Sequence, residues 1–328
     1  MKTHISDKTK WVTAVSGTAV ATSICSAIMT RYLTKLALDR EVPDIMKQIE
    51  KRVAGSLASN EFIMALQEEG KQLAGKKHEI VEIVSTDGNC LVGHWFPQNH
   101  PKRVIIAMHG WRASWYRDFG MVSRAFEKNG CSVLYAEQRG QNLSDGEYMG
   151  FGITERYDCL AWANWVNHNI SENLPIYLCG VSMGATTVLM ASGLDLPQNV
   201  CGIIADCGFT SPYAIWKHVA NRNLHISFGI RAKVANAIFK RKNQVAADDY
   251  STIDALKVGH IPVILIHGTE DHFVPVEMTY ENYKACIAPK RLFVVPGAGH
   301  GMSYYMEPDA YECAIQEFWK EYDFHCMP

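Results

Sequence analysis

A chain of 328 residues can hold one large α/β domain with an appendage, and 32 basic against 34 acidic residues leave no long-range field to gather a polyanion. Nucleic acid is therefore not an expected partner. Ten cysteines are scattered without a C-x-x-C pair, several in apolar runs, and read as buried free thiols, not as a disulfide frame or a zinc site.

Residues 11–30 carry no charge and follow Lys2, Lys8 and Lys10, and 20 such residues can cross a bilayer as a helix. Thr13, Ser16, Thr18 and Thr22 dilute the stretch. The expectation is a membrane-spanning or signal-anchor helix within residues 1–30 that makes the protein membrane-associated. The alternatives are a soluble helix packed elsewhere or a cleaved signal peptide, with a cytoplasmic or secreted location. Residues 31–77, rich in Leu, Ala, Lys, Glu and Gln with Ile45, Ile49, Val53, Phe62 and Leu66 at helical spacing, read as a helical connector. The domain proper is expected over 78–328.

From residue 78 the pattern alternates. Runs 79–84 and 90–96, joined through Asp87-Gly88, predict a hairpin. Continuous apolar runs follow at 104–108, 133–136, 176–179, 202–205, 263–266 and 292–295. Helical stretches near 116–129 and 154–168, after Ser182, and near 276–287 and 307–323 separate them. Such alternation predicts a mostly parallel sheet covered on both faces, with the chemistry at the carboxyl ends of its strands. Residues 212–256, between two of the strand runs, are long enough for a helical cap.

Gly180-Val181-Ser182-Met183-Gly184 sits between a predicted strand and a predicted helix, the setting of a G-x-S-x-G nucleophile elbow. Ser182 is the expected nucleophile. A serine hydroxyl needs a base, and His300, in the loop Gly297-Ala298-Gly299-His300-Gly301 after the last strand run, is the candidate. The acid that orients it is expected to be Asp271, beyond the run 263–266, with Glu270 and Asp206 as rivals. Oxyanion donors are expected from the backbone N–H of Met183, next after the serine, and of Trp111 in His109-Gly110-Trp111. The His109 ring reads as a loop support.

With these pieces in the order Ser, Asp, His, the chain resembles the α/β-hydrolase superfamily over about residues 78–323. Glu137-Gln138-Arg139-Gly140-Gln141-Asn142-Leu143-Ser144-Asp145-Gly146 is similar to that family's D-x-R-G-x-G-x-S-x-G loop, departing from it at Glu137 and Asn142. His109-Gly110-Trp111, Asp206 to Ser211 and Phe273-Val274-Pro275 resemble bacterial, often membrane-tethered hydrolases with prolyl-oligopeptidase-like or feruloyl/cinnamoyl-esterase-like catalytic domains. The resemblance implies an α/β-hydrolase fold, with Arg139 and Asp145 bracing loops.

The cap segment mixes Trp216, Phe228 and Phe239 with Lys217, Arg222, Arg231, Lys233, Lys240 and Arg241. Trp111, Trp216 and Phe228 are candidate substrate-wall residues, while the basic groups either favour an acidic substrate or only solvate the cap. The expected activity is hydrolysis of a small-molecule carboxylic ester through an acyl-enzyme, without cofactor or metal. The alternatives are an amide, peptide or thioester hydrolase on the same residues, and a ligand-binding protein that keeps the fold without turnover.

Overall fold

The computed structural model describes residues 25–41 and 60–323, with the backbone alone at 230. Its eight strands are β1 (Glu79–Val84), β2 (Cys90–Phe96), β3 (Arg103–Met108), β4 (Cys131–Ala136), β5 (Ile176–Val181), β6 (Val200–Asp206), β7 (Val263–Gly268) and β8 (Lys290–Val295). They form one sheet in the order β1-β2-β4-β3-β5-β6-β7-β8. The expected hairpin β1–β2 is antiparallel, as is β2 to β4, and all later pairings are parallel. Several strands begin one or two residues before their apolar runs. Arg103, for example, extends β3 because its backbone pairs with Cys131, while its guanidinium binds Asp323 at 2.6 Å.

The helices are α1 (residues 25–38), α2 (Asn60–Ala74), α3 (Trp115–Lys128), α4 (Glu155–Asn169), α5 (Met183–Ala191), α6 (Pro212–His218), α7 (Gly229–Asn243), α8 (Thr252–Leu256), α9 (Val276–Ala285), α10 (Ser303–Met306) and α11 (Pro308–Tyr322). The strand period of two sends alternate side chains to opposite faces. Val104, Ile106 and Met108 of β3 join Trp162 and Val166 of α4 and Leu189 of α5 on one face. Ile105 and Ala107 join Phe119 and Phe126 of α3 and Phe318 and Trp319 of α11 on the other. Burying each such side chain contributes about 1.5–3 kcal/mol, which is why the central strands read as unbroken apolar runs.

A third apolar cluster lies apart from these faces. Leu38, Met149, Phe151, Phe209, Ile215 and Phe239 draw α1, the 149–153 loop, α6 and α7 together with Met183. In the segment between β6 and β7, α6 starts at Pro212 with Ser211 Oγ accepting from Ala214 N–H at 3.1 Å, and α8 starts with Ser251 Oγ accepting from Asp254 N–H at 3.1 Å.

The loop 137–146 is braced as the resemblance implied. Arg139 reaches Asp158 and Asp87 with its guanidinium, at 2.5 and 2.6 Å, and Asp145 accepts from Cys90 N–H at 3.0 Å. Asn142 takes φ 49°, a left-handed value that asparagine tolerates, so it fills the place of the family's glycine.

Two expectations are corrected. No helix among the described residues is long and apolar enough to cross a membrane, which overturns the membrane-spanning helix and the membrane location drawn from it. Residues 1–24 of that stretch lie outside the described residues. Residues 25–30 lie in α1, which turns Thr30, Thr34 and Leu38, spaced by four, into the protein. Among the described residues the cysteines are free, but Cys25 and Cys313 are exposed, and Cys131, Cys159, Cys179, Cys201, Cys207 and Cys286 are the buried ones.

Candidate active site

β5 ends at Val181 and α5 begins at Met183, so Ser182 alone carries the reversal, at φ 56° and ψ −116°. Glycine enters that region freely and other residues only under strain, of the order of 1–3 kcal/mol. The flanking glycines are needed for space. A Cβ on Gly184 would lie 1.8 Å from the Met108 carbonyl oxygen, and one on Gly180 would lie 2.3 Å from the Gly184 carbonyl carbon. Ser182 N–H donates to the Asp206 carbonyl at 2.8 Å, tying the turn to the end of β6.

The loops after β7 and β8 bring the other two residues to this point. His300 Nε2 lies 3.0 Å from Ser182 Oγ, and His300 Nδ1 lies 2.7 Å from Asp271 Oδ2. Asp271 Oδ1 accepts the N–H groups of Phe273 and Val274 at 2.9 and 2.8 Å. Burial alone would raise the Asp271 pKa, but the His300 charge and the hydrogen bonds from His267 and His300 outweigh it and hold the carboxyl below the usual carboxylate range. Burial would likewise lower the His300 pKa, and the Asp271 carboxylate reverses this, leaving the imidazole well above its usual 6.5. The rivals are placed differently. Glu270 is exposed beside His272 at 3.5 Å, and Asp206 accepts from Ser303 Oγ at 3.0 Å, with burial pushing its carboxyl up.

Sequence reasoning did not single out His267 or Cys207. His267, fully buried at the end of β7, has Nε2 at 3.1 Å from Asp271 Oδ2 and 2.9 Å from the Val274 carbonyl, and Nδ1 at 2.6 Å from Thr279 Oγ1. A polar residue closing an otherwise apolar strand, four residues before the acid, was the available signal. Cys207, Asp271 and His300 each offer a ligand atom within 4.8 Å of the others, the candidate metal cluster among the described residues. It fits a metal poorly. The nitrogen and oxygen atoms are committed to one another, and burial pushes the Cys207 thiol up to about 11, away from the thiolate that a metal requires.

The loop after β3 approaches the serine closely: a Cβ on Gly110 would stand 3.4 Å from Ser182 Cβ. Gly110 N–H donates to Asp118 Oδ2 at 2.7 Å and Arg112 N–H to Gln141 Oε1 at 2.6 Å. Between them, the Trp111 N–H has no acceptor among the described residues, nor does the Met183 N–H. His109 is fully buried and supports the loop, with Nδ1 donating to the Gly110 carbonyl at 2.8 Å and Nε2 accepting from Gln138 N–H at 3.1 Å.

One aromatic ring lies against the histidine, and others pack together in the third apolar cluster. Phe273 lies 5.1 Å from the His300 ring, and Phe151 stands between Trp111 at 6.4 Å and Trp216 at 5.4 Å. Phe228 is buried, edge-on to Tyr213 at 5.3 Å.

A sheet of this order with a serine elbow after its fifth strand defines an α/β-hydrolase. An uncharacterized protein of Mycobacterium tuberculosis is 34% identical over 246 residues, which cover 74% of this chain and 79% of the relative. The serine aminopeptidase S33 family profile matches residues 99–222, and a proline iminopeptidase of Xylella fastidiosa is 29% identical over 100 residues, 30% of this chain and 31% of the relative. Among solved structures, an esterase of Pyrococcus furiosus superposes with a TM-score of 0.61 at 24% identity, covering 77% of this chain and 95% of that one. Est1E of Butyrivibrio proteoclasticus, with ferulic acid bound, gives 0.57 at 20% identity, covering 74% and 98%. The chain belongs to the α/β-hydrolase superfamily, and its broad class is that of a hydrolase.

Proposed function

We propose that the protein is a serine hydrolase that cleaves small carboxylic esters through an acyl-enzyme. The supporting observation is the unbroken chain from Ser182 Oγ through the two nitrogens of His300, at 3.0 and 2.7 Å, to Asp271 Oδ2. Ser182 Oγ attacks the carbonyl carbon as His300 Nε2 takes its proton, and His300 then returns that proton to the leaving alcohol. Asp271 keeps Nδ1 protonated and stabilises the imidazolium. The N–H groups of Met183 and Trp111 receive the oxyanion, each worth about 10²–10³ in rate. Water then repeats the sequence on the acyl-enzyme.

Phe273 beside His300, with the Phe151 and Trp216 pair in the neighbouring apolar cluster, suits an apolar acyl or aryl group. Amide hydrolysis on the same residues is the second reading, favoured by the S33 match. Turnover of p-nitrophenyl esters against aminoacyl p-nitroanilides separates the two, with Ser182→Ala as control. Fluorophosphonate should label the wild-type protein and not Ser182→Ala; labelling that persists in the variant removes Ser182 as the nucleophile.

A further inference from the structure

The loop that presents the Trp111 N–H does not stand on the hydrolase sheet alone. Its two outward side chains are bound to the carbonyl end of α1, more than seventy residues earlier. Trp111 Nε1 donates to the Ala37 carbonyl at 2.8 Å. Arg112 donates to the Leu36 carbonyl at 2.8 and 3.2 Å, to the Asp39 carbonyl at 2.5 Å and to the Arg40 carbonyl at 3.4 Å. Its guanidinium also lies 5.2 Å from the centre of the Trp111 ring.

The chemistry of a helix end explains the grip. The last carbonyls of α1 lack partners within the helix and carry the negative end of its dipole, so a planar guanidinium with several donors is the side chain best suited to collect them. Arg112 reaches them from φ 50°, a strained conformation for arginine. Its own N–H is held by Gln141 Oε1 at 2.6 Å, so residue 112 is fixed from both sides. The segment 36–40 is itself seated on the domain. Leu38 is fully buried, its carbonyl accepts from Met149 N–H at 2.8 Å, Arg40 N–H donates to the Glu147 carbonyl at 2.9 Å, and Lys242 pairs with Asp39 at 2.9 Å.

We propose that Arg112 is a positioning residue, and that by gripping the carbonyl end of α1 it sets where the Trp111 N–H points. Residues 36–40 are then part of the support of the oxyanion loop. The inference rests on the serine-hydrolase reading above.

The test uses the full chain with p-nitrophenyl acetate turnover and the rate of fluorophosphonate labelling, both of which need the oxyanion donors. Arg112→Ala should lower kcat about 10-fold to 100-fold with KM changed less than about 2-fold, and slow labelling in proportion. Arg112→Lys, able to reach fewer carbonyls, should restore part of the loss. Should Arg112→Ala fail to fold, Trp111→Phe takes its place: it keeps an aromatic side chain, though a smaller one, removes the indole N–H bond to Ala37, and should lower kcat several-fold. A folded Arg112→Ala, or in its place a folded Trp111→Phe, with wild-type kcat and labelling rate overturns the positioning role while leaving the hydrolase reading intact. A wild-type protein that neither labels nor turns over ester overturns both.

Discussion

His267 Nε2 stands 3.1 Å from Asp271 Oδ2, the same oxygen that His300 engages from the other side. The carboxylate is therefore held by two imidazoles and two backbone N–H groups with no exposure to speak of, and only one of those imidazoles faces the serine. His267→Phe keeps a planar ring, a somewhat larger one, but leaves Asp271, Val274 and Thr279 each one partner short. The expected cost is about 1.5–3 kcal/mol of stability, read as a lower urea midpoint at unchanged slope. A midpoint equal to wild type would mean that water replaces the ring without loss.

On the proposed mechanism the base form of His300 is the active one, and its pKa lies well above 6.5 because of Asp271. Ester kcat/KM should thus climb with pH to a midpoint above 6.5. Asp271→Asn removes the raising interaction, so the midpoint should move down while kcat drops roughly 10³- to 10⁴-fold. An unmoved midpoint would assign the titration to another group.

The same pair sets a stability window. Asp271 has a depressed folded pKa, so its contribution is present above the unfolded value near 3.8 and is lost as pH falls toward the folded one. Denaturation midpoints of the wild type should fall below about pH 4 more steeply than those of Asp271→Asn. Parallel curves would refute the linkage.

Ser182 sits at φ 56° and ψ −116°, which costs an L-residue about 1–3 kcal/mol. Ser182→Gly should lose ester turnover and yet unfold at higher denaturant than Ser182→Ala by about 1 kcal/mol. Equal stability of the two variants would show that the turn carries no strain.

Arg139 bridges Asp87 and the buried Asp158, at 2.6 and 2.5 Å. Arg139→Ala strands a buried carboxylate and should cost about 3–5 kcal/mol in chemical denaturation. Asp158→Asn in the same background should recover part of it; failure to do so would place the role of Arg139 elsewhere.

Much of this molecule was legible in order along the chain. Period-two and continuous apolar runs marked the strands because burial acts on each residue where it stands, and Gly180 and Gly184 marked the elbow because only hydrogen fits against Met108 and the turn itself. Membrane insertion was misread from the same kind of signal. Counting charges over 11–30 weighs a window, whereas α1 is decided by which face meets the domain: Thr30, Thr34 and Leu38 go inward and Ile28 and Tyr32 stay outside.

What the sequence alone determined was the set of groups that one stretch of chain can supply by itself: a strand, a sharp turn, a serine, and a histidine and an aspartate on loops after later strands. Only the tertiary structure decided that His267 shares the oxygen of Asp271 and that Arg112 and Trp111 hold the carbonyls of residues 36–40. Those pairings join atoms up to seventy-six positions apart. A guanidinium or an imidazole has many possible acceptors, and the packing of the whole chain selects among them.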